Sequence, residues 1–383
     1  MTNQAPVREV KIALLGVLGA FLALIAATNW RLVPSAYIHM FSGEPLSALA
    51  RAADANFAFV NNVSHYDGVY YYAIGIDPLA TSRAHQLIDQ APYRYGHPLH
   101  GWLAYLLSFG NAKFVPLVLV FLSLAGVGVG IYYLSKLAMH FELSPWLGLL
   151  FIANPGIYYA AINSTTETIG MALVVTFLYF VVKNETKAWI LMLLSIFLCL
   201  DKEQYVILIL TVLIYEIAFN RKILFEKRMI RLISIIAGIP VLSVWYVYIK
   251  GVFHVFPNHY QTGVFGAPFV GWIKAFKYGN SLQNGSFDQS QIGSLIIPVL
   301  FFFLTIYLFI IVHSFKNLNL FHFVAFGQIA ISLCQGWVNL IYPHEILREQ
   351  IVSLSLSVLT LVLAQSPRIG SVAFRRRVID SAH

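Results

Sequence analysis

Charge is what this sequence has least of. Charged residues fill 11% of its 383 positions, and only 17 are Asp or Glu. A soluble domain carries roughly a quarter of its residues as charges, which argues against an ordinary water-soluble globule. The 58% hydrophobic share and the mean hydropathy of +0.72 point to a chain solvated mainly by lipid. Cysteine is almost absent as well. Cys199 and Cys334 both lie inside apolar runs, so they read as small core residues and imply no disulfide framework. There is no internal repeat, no Gly/Ser linker and no low-complexity tract, which makes one integral membrane domain over 1–383 the simplest organisation. The net charge of +8 is not gathered on a polar domain, and no nucleic-acid motif accompanies it. Nucleic acid is therefore not an expected partner; lysine and arginine here set orientation among membrane lipids.

What the chain does have is apolar runs. They recur near 12–28, 114–135, 146–162, 166–182, 188–200, 204–219, 231–249, 294–314, 320–340 and 350–365. That pattern predicts an all-α integral membrane protein, a polytopic bundle of about ten transmembrane helices. Several runs fall short of the ~20 residues that cross a bilayer upright, as broken or re-entrant helices do. The first run is too long for a signal-peptide core and lacks a small-residue cleavage site, so it reads as a retained helix. With both termini cytoplasmic, the short outer loops hold only Lys202 and Arg348, and most other Lys and Arg fall inside. The basic tail 366–383, with Arg375, Arg376 and Arg377, then reads as a lipid-headgroup anchor.

Two long outer segments remain, about 29–113 and 250–293. Connections this long are usually functional or carry short helices of their own. Prolines 34, 45, 78, 92 and 98 divide the first into pieces of helical length, and EPLSALARAADANFAFV (44–60) suits a helix lying on the membrane surface.

The chemistry concentrates there. In SHYDGVYYYAIGIDP (64–78), Asp67 stands beside a glycine and among tyrosines. It could cap a helix while the tyrosines pack at the interface, or serve as a general base at the membrane–water boundary. On the second reading Tyr66, Tyr70 and Tyr71 offer hydroxyls and stacking faces to a sugar, and Gly68 lets a ligand approach the backbone. In APYRYGHPLHGWLAYLL (91–107), Arg94 sits between Tyr93 and Tyr95, which suits a phosphate or carboxylate; snorkelling at the interface is the alternative. His97 and His100 would share a helix face without enough further ligands for a metal. CLDKEQY packs Asp201, Lys202 and Glu203 between short apolar runs, either as a solvated hairpin tip or near membrane depth with partners. In YPHEILREQ, Glu345 and Arg348 could simply pair, and the second histidine of H-E-x-x-H is missing, which excludes a zinc-protease site. Glu167 in NSTTETIG fits a first helical turn. The second outer segment, with His254, His259, Tyr260 and Asp288, could cover a site, although no spacing there demands chemistry.

A first helix followed by a large outer loop with Y-D-G-x-Y-Y-Y resembles the GT-C class of polyprenyl-phosphate-sugar-dependent glycosyltransferases. The (W/Y)-D-G-x-x-Y pattern is similar to the first luminal loop of the PIG-V group of GPI mannosyltransferases. Y-R-Y-x-x-P-L is similar to Y-R-Y-x-P-L of the PIG-M group. Tyr66 stands where the first group usually has tryptophan, Tyr95 and Pro98 are one residue further apart than in the second, and Asp67 has no acidic neighbour. The resemblance implies inverting transfer of a mannose-like hexose or pentose from a polyprenyl-phosphate donor to a lipid, glycan or protein acceptor. Asp67 would be the general base, and Arg94, Lys202 and Arg348 would hold the donor phosphate. Tyr66, Gly68, Tyr70, Tyr71, Tyr93, Tyr95 and His97 would meet sugar or acceptor. The resemblance fixes no cofactor, although Mg or Mn could neutralise the leaving phosphate. A bacterial inner membrane is the expected location, with the site facing the periplasm or exterior. The rival expectations are a transporter or flippase of a lipid-linked or anionic substrate, and a non-catalytic assembly subunit. The absence of inverted repeats argues against the first.

Overall fold

The three-dimensional structure is a computed structural model that describes residues 5–61, 65–183, 187–219, 225–260, 264–283, 287–314 and 318–366. The Asn62-Val63-Ser64 sequon and the basic tail beyond residue 366 lie outside the described residues, as do the side chains of His259, Tyr260 and Asp288.

Among the described residues the chain is all-helical, with no strand and two isolated bridges, Phe41–Val60 and Phe265–Gln335. An apolar run in lipid cannot lend its backbone groups to water, and a helix satisfies them within one segment. The helices begin with α1 (Ala5–Ala27), α2 (Ser47–Ala53), α3 (Gly68–Ile76), α4 (Ala91–Tyr95), α5 (Leu99–Leu107) and α6 (Val115–His140). Next come α7 (Leu150–Ala153), α8 (Pro155–Ile162), α9 (Glu167–Lys183), α10 (Ala188–Asp201), α11 (Tyr205–Phe219) and α12 (Phe225–Ile236). The last six are α13 (Gly238–Phe253), α14 (Val270–Gln283), α15 (Phe287–Ser314), α16 (Leu320–Leu333), α17 (Pro343–Glu349) and α18 (Ile351–Ala364). Proline opens α4, α6, α8 and α17, where its missing N–H would have had no helical partner.

Among the described residues, four stretches are long and apolar enough to cross a membrane: Val7–Ala27, Val115–His140, Glu226–Phe253 and Ile292–Ser314. The pair Pro145–Ala153 and Pro155–Ile162, bent by 60°, makes a fifth if counted as one broken span. Ten straight spans are thus not what the structure supports. The other apolar runs did become helices, but α10, α11, α16 and α18 have only 14, 15, 14 and 14 residues. At 1.5 Å per residue they reach about 21–22 Å, against a hydrocarbon core of about 30 Å.

Burial orders the bundle. The apolar window of α6 is 61% buried inside the protein, against 28% for those of α1 and α15, so α6 is the most enclosed of the long spans. α1 turns Leu14, Leu15 and Leu18 outward, and α15 does the same with Phe301, Phe302 and Leu308. Such stripes would promote association in water but carry no penalty against lipid. The bend between α7 and α8 is built by Asn154. Its Oδ1 accepts from Gly156 N at 3.0 Å, and its Nδ2 donates to Ile351 O at 3.2 Å and Ser355 Oγ at 3.0 Å. At the far end of α9, Arg231 of α12 pairs with buried Glu216 at 3.0 Å and donates to Val181 O at 2.5 Å, which docks the amphipathic α12.

The first long segment forms a cap of short helices on the end where α1 finishes and α6 and α9 begin. Ile38, Met40, Leu46, Phe57 and Tyr72 pack there against Leu119 of α6. The helix expected over 44–60 is confined to Ser47–Ala53. Asp54 leaves it in extended backbone and its carboxylate accepts from Asn56 N at 3.0 Å, after which Val60 N donates to Met40 O at 2.9 Å. The second long segment is mostly helical, since α14 occupies Val270–Gln283 and packs along α15. Residues 264–269 are laced to the end of α16 through Gly336 N to Val264 O (2.6 Å) and Gly266 N to Cys334 O (2.8 Å).

Candidate functional site

Several chain segments meet beneath this cap. The N-terminus of α3 brings Asp67, α4 brings Arg94, and α9 starts with Glu167. The turn from α10 to α11 adds Lys202 and Glu203, and α17 adds Glu345, Arg348 and Glu349. α17 comes this close because Gly156 of α8 has no side chain: a Cβ there would stand 2.4 Å from Leu347 O.

Asp67 occupies the N-cap of α3, yet its side chain makes no capping bond, so the capping alternative fails. Its Oδ2 accepts from Arg348 Nη1 at 2.6 Å and its Oδ1 from Arg94 Nη1 at 3.3 Å. Burial alone would raise this carboxyl, but the two guanidiniums outweigh it and hold Asp67 well below the usual carboxylate range. Arg348 is shared. It meets Glu345 at 2.8 Å, Glu349 at 3.2 Å and Glu167 at 3.4 Å, so the simple Glu345–Arg348 pair is one contact of four. Lys202 Nζ reaches Glu167 at 2.8 Å. Glu345 moves the other way: burial raises its carboxyl, against the opposing pull of Arg348, and it accepts the Tyr66 hydroxyl. The Arg94 guanidinium lies 3.6 Å from the centre of the Tyr70 ring, a cation–π contact that fixes its plane.

These groups surround a cavity of about 270 Å³, walled by Asp67, Arg94, Lys202 and Arg348 together with Tyr70, Tyr71, Tyr93 and His97. Eight of the eleven residues singled out in the sequence therefore share one space. The other three do not line it. Tyr66 lies under Arg348, with ring centre 5.2 Å from the guanidinium carbon. Gly68 serves backbone packing and not ligand approach, because a Cβ there would stand 2.6 Å from Asn163 O and 2.9 Å from Ile38 O. Tyr95 is fully buried and donates to Asp77 O at 2.8 Å, which takes it out of reach of a ligand.

The CLDKEQY turn is no solvated tip. Asp201 is fully buried and accepts from Thr166, while Glu203 pairs with His97. Burial would raise the Glu203 carboxyl, but His97 draws it down to about 2. His100 is buried with its ring edge against Tyr71, so the two histidines do not converge. Among the described residues no three His, Cys, Asp or Glu side chains are grouped to hold a metal. The carboxylates face Arg348 and Lys202 instead, an arrangement that does not fit Mg or Mn.

Sequence reasoning missed Glu44 and His65, which are hydrogen-bonded to each other behind Tyr70. It also missed the wall made by Val264, Phe265 and Asn339. His65 adjoins the Asp67 motif, but Glu44 lies 21 positions earlier with no periodic relation to it. A second cavity of about 280 Å³ is lined mainly by apolar side chains of α7, α9, α15 and α18, together with Leu134 of α6 and Leu347 of α17.

The chain, compared with protein-family models, with curated proteins and with solved structures, matches none of them. Its fold and site define an integral membrane protein with a charged cavity under a helical cap.

Proposed function

We propose that this protein is an inverting membrane glycosyltransferase. It would move a mannose-like hexose or pentose from a polyprenyl-phosphate donor to a hydroxyl of a lipid, glycan or protein. The observation that carries the reading is the convergence of Asp67 with Arg94, Lys202 and Arg348 on one cavity. The resemblance of the Y-D-G-x-Y-Y-Y and Y-R-Y segments to GT-C glycosyltransferases supports it. So does the separate apolar cavity, whose lining includes Leu347 on the helix that carries Arg348 and which suits the hydrocarbon tail of such a donor. The site would face the periplasm or exterior of a bacterial inner membrane, with both termini cytoplasmic.

In the free protein, both Asp67 oxygens are tied to guanidiniums, which makes it a weak base. A donor phosphate competes for the same guanidiniums, bidentately where it can. As Arg94 or Arg348 turns to the phosphate, Asp67 loses the charge that depressed it and its proton affinity rises. It can then take the proton of the acceptor hydroxyl as that oxygen attacks the anomeric carbon from the face opposite the phosphate. The C–O bond to phosphate breaks with its electron pair leaving on the phosphate, where the cations stabilise the new charge.

Membranes carrying Asp67→Asn, supplied with a labelled polyprenyl-phosphate sugar, should lose most transfer while the protein still folds. Full transfer by that variant would sink the mechanism. Movement of intact donor across sealed vesicles, without transfer, would establish a flippase instead.

A further inference from the structure

The cavity wall holds a second hydrogen-bond chain, which the transfer mechanism leaves unused. Glu44, in the turn before α2, is 7% exposed. Its Oε2 lies 2.9 Å from Nδ1 of His65, and Nε2 of the same ring lies 2.7 Å from the Tyr70 hydroxyl. Tyr70 is in the first turn of α3 and lines the cavity, held against Arg94. Its neighbour Tyr71 also lines the cavity but packs on His100, with no comparable chain behind it.

Hydrogen-bond parity settles which way the protons point. A carboxylate only accepts, so the hydrogen between Glu44 and His65 belongs to Nδ1. A neutral imidazole carries one N–H, which leaves Nε2 as an acceptor. The Tyr70 hydroxyl must then donate to Nε2, because two acceptors 2.7 Å apart would repel. Asp89, about half exposed, is the rival acceptor for that hydrogen. Giving the hydrogen to Asp89 would leave Nε2 and the Tyr70 oxygen facing each other unpaired. With its hydrogen committed backward, Tyr70 offers the cavity only oxygen lone pairs.

We propose that Glu44 and His65 fix the Tyr70 hydroxyl as an acceptor toward the cavity, so that Tyr70 selects ligands presenting a hydroxyl donor there. This rests on the sugar reading for its ligand class, since a polyol supplies such donors all round its ring. Tyr70 is then a contact residue, and Glu44 and His65 are positioning residues acting through it. Protonation of His65 reverses the polarity, because both ring nitrogens then donate. The Tyr70 oxygen must accept from Nε2, and its hydrogen turns to the cavity or to Asp89. The groups facing this switch are Glu44 and Tyr70 on the ring, and Arg94, Asp89 and Asp67 around the tyrosine.

Two measurements on the full chain in detergent test it. The first is nitrogen NMR of ¹⁵N-histidine-labelled protein at about pH 8, above the range where imidazoles titrate, with His65 assigned by its loss in His65→Gln. Protonated Nδ1 and bare Nε2 are expected; a protonated Nε2 overturns the proposal whatever the substrate. The second compares a short-chain polyprenyl-phosphate hexose with its mono-deoxyfluoro analogues, in which fluorine accepts but cannot donate. One analogue should lose roughly tenfold in KM, about one net hydrogen bond. That loss should vanish in Tyr70→Phe and shrink in His65→Phe, where the hydroxyl is free to turn. Equal handling of every analogue, or discrimination that survives Tyr70→Phe, overturns the proposal. No transfer from the parent hexose donor sinks the sugar reading, and with it this ligand class, while the tautomer stands as measured.

Discussion

Replacing Arg348 by glutamine removes the cation shared by Asp67, Glu345, Glu349 and Glu167, which lie 2.6, 2.8, 3.2 and 3.4 Å from it. Lys202 and Arg94 would remain, but neither reaches all four carboxylates. Breaking a buried ion pair by removing one partner costs on the order of 3–5 kcal/mol. For a protein of 383 residues that is a fall of about 4–6 °C in melting temperature. The sign of the pH dependence follows from Asp67. In the parent its carboxyl is depressed, burial being outweighed chiefly by Arg348. Such a group contributes stability above its unfolded value of about 3.9, and that contribution is lost only as pH falls toward the folded value. Without Arg348, burial dominates and the carboxyl rises. The contribution then reverses: on acidification from about pH 8 to 5, Arg348→Gln should gain stability relative to the parent. Thermal unfolding in detergent across that range measures both effects. Adding Glu345→Gln should recover part of the loss, because it deletes one of the unmatched charges. A single variant that melts within about 2 °C of the parent (under the roughly 4–6 °C expected), or a double variant no better than the single, would refute the reasoning.

Gly68→Ala should lose about 1–3 kcal/mol through overpacking, since the new methyl would meet the backbone oxygens of Asn163 and Ile38; an unchanged melt would show that α3 can shift. Arg231→Met removes the guanidinium that pairs with buried Glu216 and should cost about 3–5 kcal/mol, whereas Arg231→Met with Glu216→Leu should be milder; equal losses would mean that the charge is not the cause. His97→Gln tests Glu203, whose carboxyl sits at about 2 because His97 overcomes burial. The stability it contributes exists above about pH 4.5 while the imidazole is charged and fades as pH falls toward 2, so parent and variant melting curves should differ most at about pH 5 and converge in acid. A difference that persists to pH 2 would assign the effect to packing.

The Asp67 motif and the Y-R-Y segment were legible because residue type carries the signal. A lone carboxylate or arginine among aromatics in an apolar chain is costly without a purpose, and eight of the eleven positions singled out, Asp67 and Arg94 among them, did meet at one cavity. Tyr95 and Gly68 looked equivalent to their neighbours in one dimension. Helical phase sends Tyr95 inward to Asp77 O, and the crossing of two backbones uses up the space at Gly68. The ten apolar runs were placed correctly as helices. How many cross a bilayer was not, because hydropathy measures composition and α10 or α18 fails on length.

By itself the sequence determined that this is a membrane chain, that its polar chemistry gathers in the segment after α1, and that Asp67 and Arg94 are its unusual charges. Those are properties of composition and of neighbours along the chain, which hydrophobic transfer energies read directly. Tertiary structure alone decided that Arg348, 281 positions from Asp67, is its closest cation. It also decided that Glu44 reaches His65 and that Lys202 is shared with Glu167. The physical reason is range: an ion pair or hydrogen bond acts over about 3 Å in space and leaves no periodic mark along the chain, so its partners emerge only once the helices have packed.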